Sequence, residues 1–170
     1  MDEVREVERM EEKTNVMRIL EQKKIPYQPH FYEAGGAVSG AGAARALGED
    51  PALVFKTLVT EGKSGRHYVF VIPVEKELDL KKAAKAAGEK SVAMLKAKEL
   101  LPLTGYVHGG CSPIGMKKFF PTTIGRQVEG LERFFFSGGK VGAQVEMAPK
   151  DLRKVIQYQV ADVTVESHIQ

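Results

Sequence analysis

The chain has 170 residues, of which 43% are hydrophobic and 28% are charged, a balance that excludes a disordered or membrane-spanning protein. The net charge of +3 is mild, so it permits transient contact with RNA without predicting it. A single cysteine excludes an intramolecular disulfide and fits a reducing compartment, and the charged N-terminus lacks the apolar segment of a signal peptide. We expect one cytoplasmic domain over residues 1–170, with residues 1–14 as a charged extension.

The first part of the chain alternates between helical and extended patterns. Apolar residues after Thr14 recur with helical spacing and stop before Pro26, which predicts a helix there. A strand at 27–32 is predicted to be broken by Pro29, and small residues at 35–42 predict a loop. A short helix at 43–47 follows. Two strand-like runs at 53–60 and 67–74 flank the turn-rich segment 61–65, which predicts a hairpin whose second strand is buried on both faces.

A helix is predicted over 80–87 because its caps and its spacing agree. Asp79 occupies the N-cap position, Gly88 the position after the last turn, and the intervening apolar residues recur at helical spacing. Its outer face would carry three lysines: Lys81, Lys82 and Lys85.

The second half is predicted to be rich in strands. Strands are expected at 92–95, 105–108 and 162–165, helices at 97–101 and 151–158, and a hairpin from 133–136 and 141–145 around a Ser-Gly-Gly-Lys turn. Because strands outnumber helices and come in hairpins, the pattern favours an α+β fold with a mixed, mostly antiparallel sheet over a doubly wound sheet.

Lys56 stands out because it interrupts an apolar strand. The strand period places it in one row with Ala52, Val54 and Leu58. One interpretation is an edge strand with a solvated ammonium group, since lysine is seldom buried without a partner. The other is a lysine that faces a cleft, where desolvation lowers its pKa or its donors hold a carbonyl oxygen. The pattern does not decide between them.

The segment from Gly109 to Gly115 is a second candidate for chemistry. Paired glycines let backbone N–H groups approach a ligand closely, although they also suit a tight connection. Gly115 follows Ser112 by three residues, whereas a serine-hydrolase elbow requires two. A cysteine nucleophile needs a base, and His108 is close to Cys111 in sequence, but the pattern does not establish contact; packing is therefore the favoured interpretation over a nucleophile.

Two further kinds of site find little support. The lone cysteine and the scattered histidines show no zinc-ligand spacing, so no metal is expected. Lys117, Lys118 and Arg126 could contact phosphate, but such residues more often form a solvated face, and no glycine-rich phosphate-binding loop is present.

Five segments in matching order resemble the YbaK family of Cys-tRNA(Pro) deacylases, related to the editing domain inserted in prolyl-tRNA synthetase. They are VFKTL at 54–58, LDLKKAAKA at 78–86, TGY at 104–106, GGCSPIGMKK at 109–118 and SGGK at 137–140. The resemblance extends over about 19–160. The first and fourth segments together make it specific.

The resemblance implies a mixed sheet curled into a barrel-like core with surrounding helices. It also implies a cofactor-free enzyme that hydrolyses mischarged Cys-tRNA(Pro), with Cys-tRNA(Cys) as a further substrate, through attack by the thiol of the substrate itself. Such editing is needed because binding alone discriminates poorly between small side chains. The implied partners are tRNA(Pro) and prolyl-tRNA synthetase. The implied site residues are Lys56 as the catalytic group and, for substrate binding, Tyr32, Thr57, Gly109, Gly110, Ser112 and Gln144.

The sequence departs from the family pattern at two positions. Gln144 stands where an aspartate is common, which puts the rate or the amino-acid preference in question. Cys111 stands where relatives carry an aliphatic residue, which agrees with a packing role. Two alternatives remain open: a deacylase selective for alanine or serine, and a non-catalytic module that binds a small ligand or a tRNA end.

Overall fold

A computed structural model describes residues 12–33 and 40–166. The helices are α1 Asn15–Gln22, α2 Gly40–Leu47, α3 Leu80–Ala87, α4 Ala97–Thr104 and α5 Pro149–Leu152. The strands are β1 Gln28–Phe31, β2 Phe55–Gly62, β3 His67–Pro73, β4 Val92–Met94, β5 Thr122–Gly125, β6 Phe134–Ser137, β7 Ala143–Met147 and β8 Gln159–Ala161. Short 3₁₀ turns lie at Pro51–Leu53 and Arg126–Val128.

The strands form two sheets. One has three strands in the order β1-β7-β6, and the other has five in the order β4-β2-β3-β5-β8. The β1–β7, β6–β7, β2–β3 and β2–β4 pairs are antiparallel, whereas β3–β5 and β5–β8 are parallel. An isolated bridge between Val54 and Phe135 links the sheets where β2 begins. The predicted α+β class with mostly antiparallel pairing is confirmed.

The main core lies between the two sheets. It takes Val59, Val69 and Ile124 from the larger sheet and Phe134 and Val145 from the smaller one, together with the apolar face of α1. Burial of these side chains supplies most of the driving force for folding. A second cluster packs α3 on the opposite face of the larger sheet. The smaller sheet therefore presents its non-core face, which includes Gln144, towards the start of β2.

Local sequence signals account for the helix ends. The Thr14 hydroxyl accepts a hydrogen bond from Met17 N, so α1 begins where the sequence predicts. Asp79 caps α3 by accepting from Lys81 N and Lys82 N, and Gly88 ends the helix in the left-handed region at φ 74°. Among the described residues, no helix is long and apolar enough to cross a membrane.

The hairpins confirm two further predictions. The two central runs pair from Phe55–Pro73 to Glu61–His67, and nearly every residue of β3 is buried, as its apolar run predicts. The second hairpin pairs Phe134 with Met147 and Ser137 with Gln144. The predicted loop at 35–42 lies partly outside the described residues, and α2 begins within it, at Gly40.

Three predicted elements are wrong. The segment 105–108 is not a strand, because Gly105 ends α4 at φ 86° and Gly110 N donates to Val107 O, which closes a turn. The helix predicted at 151–158 is only the four-residue α5, followed by turns that bring the chain to β8. The last strand is β8, not 162–165, where Thr164 makes only an isolated bridge to Leu78. Strand β5 was not predicted.

Candidate active site

A cavity of about 300 Å³ opens where the two sheets meet. Its wall is built from the start of β2, the end of β6, the start of β7, α2, α4 and the glycine-containing loop after α4. The lining residues are Tyr32, Ala43, Val54, Phe55, Lys56, Thr57, Leu58, Val74, Leu100, His108, Gly109, Cys111, Ser137 and Gln144. Most of these are apolar, and the few polar groups converge from different strands, as is typical of a small-ligand site.

Lys56 lies in the wall of this cavity and is half-buried. Its position on β2 pairs with Ile72 on β3, whereas β4 pairs with β2 only from Thr60 onward. Among the described residues, no hydrogen bond or ion pair holds its ammonium group. Burial lowers the pKa of Lys56 despite the opposing attraction of Glu77. The structure thus places the lysine in a cleft, as the second interpretation of the sequence expects.

Two oxygen atoms in the cavity wall are buried without a hydrogen-bond partner among the described residues: Thr57 Oγ1 and Gln144 Oε1. The whole Gln144 residue is only 5% exposed. An unpaired buried acceptor costs about 1–3 kcal/mol, and such groups are rare in folded proteins. Both oxygens are therefore suited to accept hydrogen bonds from a ligand that enters the cavity.

Tyr32 reaches the cavity from the segment just after β1. Its backbone N–H donates to Gly142 O at 3.0 Å, which ties this segment to the turn before β7. The residue is half-buried and lines the cavity. This places its side chain on the same wall as Gln144.

The two adjacent glycines, Gly109 and Gly110, have different places: one lines the cavity and the other packs against the backbone. Gly109, at φ 86°, lines the cavity. Gly110 does not, and its N–H is occupied by Val107 O at 3.0 Å. A Cβ at Gly110 would lie 3.0 Å from Lys140 Cα, so glycine is needed there for close packing of two backbones. The expected backbone contact with a substrate therefore fits Gly109 and not Gly110.

Ser112 also lies outside the cavity lining, so its expected role in substrate binding stays a prediction. Its side chain is fully buried, and its Oγ accepts a hydrogen bond from Ile114 N. The Tyr106 hydroxyl donates to Ile114 O from the other side. These bonds fix the Ser-Pro turn, so the contribution of Ser112 is to hold the loop that carries Gly109.

Cys111 lines the cavity, but burial raises the pKa of its thiol to about 12. A thiol with such a pKa is protonated at neutral pH and is a poor nucleophile. His108 lines the same cavity, yet no hydrogen bond joins the two side chains. The packing interpretation of Cys111 is thereby favoured.

Several lining residues carried no signal in the sequence. Val74 and Leu100 reach the cavity only because the topology brings their elements to the start of β2, whereas Ser137 belongs to a segment noted only as a turn and for its resemblance to the family. His108 follows a short apolar run and was considered only as a partner for the thiol. Its place at the cavity could not be predicted while 105–108 was expected to be a strand.

Comparison with known proteins agrees with this geometry. A family model described as an aminoacyl-tRNA editing domain matches residues 36–155. A protein of Enterococcus faecalis with the provisional name Cys-tRNA(Pro)/Cys-tRNA(Cys) deacylase is 44% identical over 155 residues, covering 91% of this chain and 94% of that protein.

Solved structures with the same fold include one described provisionally as a trans-editing enzyme for prolyl-tRNA synthetase. It has a TM-score of 0.78 and 26% identity, covering 91% of this chain and all of the other. The crystal structure of a hypothetical protein has a TM-score of 0.80 and 25% identity, covering 89% of this chain and 100% of that one.

Proposed function

Because the chain belongs to the aminoacyl-tRNA editing domain family, we propose that this aminoacyl-tRNA deacylase hydrolyses the ester of Cys-tRNA(Pro), with Cys-tRNA(Cys) as a second substrate. The observation that carries the proposal is the cavity at the start of β2. It combines an ammonium group, that of Lys56, with two acceptor oxygens in a space suited to an amino acid, and all three lack a hydrogen-bond partner among the described residues.

The proposed chemistry is assisted by the substrate. The cysteine thiol, as thiolate, attacks its own ester carbonyl carbon; the new C–S bond closes a cyclic thioester, and the C–O bond to the tRNA breaks. The departing ribose oxygen takes up a proton, and water then hydrolyses the thioester to cysteine. The protein needs no nucleophile of its own, which agrees with the protonated state of Cys111. Its contribution is orientation and charge stabilisation.

Each lining group has a part in this scheme. Lys56 donates hydrogen bonds to the ester carbonyl oxygen, where negative charge develops in the transition state. Gln144 Oε1 and Thr57 Oγ1 accept hydrogen bonds from the α-ammonium group, since neither oxygen has a donor within residues 12–33 and 40–166. Tyr32 and Gly109 border the same space and contact the aminoacyl group.

A substrate panel tests the proposal. Purified protein should release labelled cysteine rapidly from Cys-tRNA(Pro) and should act far more slowly on Ser-tRNA(Pro) and Ala-tRNA(Pro), because neither side chain supplies a thiol. Equal rates on serine or alanine would replace the substrate-assisted scheme with a deacylase selective for those residues. If no amino acid were released from any of the substrates faster than in buffer alone, the protein would be a non-catalytic binding module.

The tRNA partner and its selection form a separate part of the proposal. The net charge of +3 provides few phosphate contacts, so we propose that prolyl-tRNA synthetase supplies part of the tRNA selectivity in the cytoplasm. Deacylation of Cys-tRNA(Pro) and Cys-tRNA(Cys) with and without the synthetase tests this. The synthetase should favour the first substrate, and an unchanged ratio would contradict it.

A further inference from the structure

A second groove, of about 620 Å³, lies at the end of the five-stranded sheet that is opposite the cavity around Lys56. The three parallel strands β3, β5 and β8 all begin at this end of the sheet. The turn between β2 and β3, the end of α3 and the segment before β5 complete its walls. It shares no lining residue with the cavity around Lys56.

The groove carries positive charge. Arg66 and Lys118 line it and are exposed, and no carboxylate stands among its described lining residues. No hydrogen bond or ion pair joins Lys118 to another described residue. Two carboxylates lie outside the lining: Glu89 attracts Arg66 but is itself bonded to Ser64 and Tyr68, and Glu61 lies 3.7 Å from Nε2 of the lining His67. Lys118 has no such partner among the described residues, so it can contact a polyanion without giving up an ion pair.

An aromatic side chain stands beside these charges. Phe119 is 53% exposed and lines both the groove and a smaller adjoining depression. The next residue, Phe120, is buried and packs edge-on against His67, so the core takes one phenylalanine and leaves the other in solvent. An exposed ring flanked by cations is the usual arrangement for holding a single RNA strand, with stacking on the ring and phosphates on the cations.

The distance to the active-site cavity can be gauged along β3. Ile72 pairs with Lys56, and His67 lines the groove; at ~3.4 Å per residue the five intervening steps span ~17 Å. A stacked nucleic-acid strand advances ~3.4 Å per nucleotide, so this span corresponds to about five nucleotides. Resting on the proposed deacylase function, we propose that the groove binds the tRNA strand upstream of the aminoacylated 3′ end, with a base on Phe119 and phosphates on Lys118 and Arg66.

Substrates of different length test this assignment. We expect Lys118→Glu and Phe119→Ala to lower kcat/KM for Cys-tRNA(Pro) by about tenfold, mainly through KM. The same variants should leave hydrolysis of the cysteinyl ester of a CCA trinucleotide unchanged, because that substrate is too short to reach the groove. Lys150→Glu is the matched control: this exposed lysine lines no described pocket, and its variant has the same charge change.

Binding of an uncharged acceptor-stem minihelix separates this inference from the proposed function. Lys118→Glu should weaken binding and reduce the slope of log K against log salt concentration by about one, whereas Lys150→Glu should not. This holds even if wild-type protein released no cysteine from any substrate. Two results would overturn the assignment. One is an unchanged affinity for the minihelix in both groove variants, which would leave an acidic protein partner as the occupant of the groove. The other is a loss of kcat/KM on the trinucleotide ester as large as the loss on Cys-tRNA(Pro).

Discussion

Glu146 and Gln144 lie on one face of β7 but differ in whether their side-chain oxygens have hydrogen-bond partners. Glu146 lies 2.8 Å from His30 Nε2 and accepts a second bond from Arg133. Gln144, two residues earlier and deeper in the protein, has an oxygen without any partner among the described residues. Internal partners stabilise the first residue, whereas the second lowers stability unless a ligand completes it. We propose that the unpaired group marks the binding site, whereas the paired group stabilises the fold.

The lysines show the same contrast. Lys82 donates to Thr164 O at 2.9 Å and pairs with Asp162 at 3.1 Å, which ties α3 to the end of the chain. Lys56, in the cavity wall, has no such contacts with the part of the chain that the structure describes, and burial disfavours its charge. A comparison of the two lysines therefore separates a structural ammonium group from one that we propose binds the substrate.

The largest effect is expected from Lys56→Ala. Loss of a donor that stabilises developing charge should lower single-turnover deacylation of Cys-tRNA(Pro) about 100-fold or more, with the fold intact by circular dichroism. Lys82→Ala is the matched control; it should keep full activity and lose about 0.5–1 kcal/mol of stability. Full activity in the Lys56 variant would remove this lysine from the site.

Gln144→Leu should have the next largest effect on rate. Leucine fills a similar volume but cannot accept a hydrogen bond from the substrate, so we expect about a tenfold loss of kcat/KM, consistent with the ~1–3 kcal/mol of a hydrogen bond to a charged group. The unfolding free energy should stay level or rise, because an unpaired buried oxygen is removed. A marked loss of stability in urea melts would instead mean that Gln144 supports the fold.

Glu146→Gln should affect stability instead of rate. Burial pushes the pKa of Glu146 up, but the bonds from Arg133 and His30 together outweigh burial and hold the pKa below its usual value. The wild type should thus be about 1–2 kcal/mol more stable than the variant at pH 7. This advantage should fade as the pH falls below ~4.5, through the unfolded-state and then the folded-state pKa. Denaturant melts at pH 7 and pH 3 measure it, and a constant difference would contradict the account.

Cys111→Ser should have the smallest overall effect of these four variants. The thiol has a pKa of about 12 and serves packing, so activity should stay within about twofold, and stability should drop by about 1 kcal/mol because a hydroxyl enters an apolar place. Single-turnover rates and melts of the same preparation measure both. A folded but inactive variant would restore the cysteine as a nucleophile.

Sequence reasoning predicted the elements whose signals are local. The 80–87 helix has its end signals in Asp79 and Gly88. The β2–β3 and β6–β7 hairpins each have strand patterns on either side of a turn. Strand β5 was not predicted, because its four residues show no alternation of apolar and polar side chains and pair in parallel with strands that are distant in the sequence. The strand expected at 105–108 failed because its backbone groups are satisfied by nearby turns.

The site was predictable only in part for a similar reason. The resemblance to the family pointed to Lys56, Tyr32, Thr57, Gly109 and Gln144, and all five line one cavity. Strand periodicity could not decide whether Lys56 faces solvent or a cleft, because the residues that cover its face of β2 come from distant parts of the chain. Ser112 and Gly110 belong to the same motif, yet packing of the loop turns them away from the cavity.

The most direct test of the central claim, that the unpaired polar groups are there for substrate and not for the fold, is to measure melting and turnover together in Lys56→Met. Burial disfavours the ammonium group, so methionine should raise the melting temperature by about 2–4 °C at pH 7. Deacylation of Cys-tRNA(Pro) should be lost in the same preparation. A lower melting temperature with turnover retained would show that Lys56 serves the fold and would contradict the account.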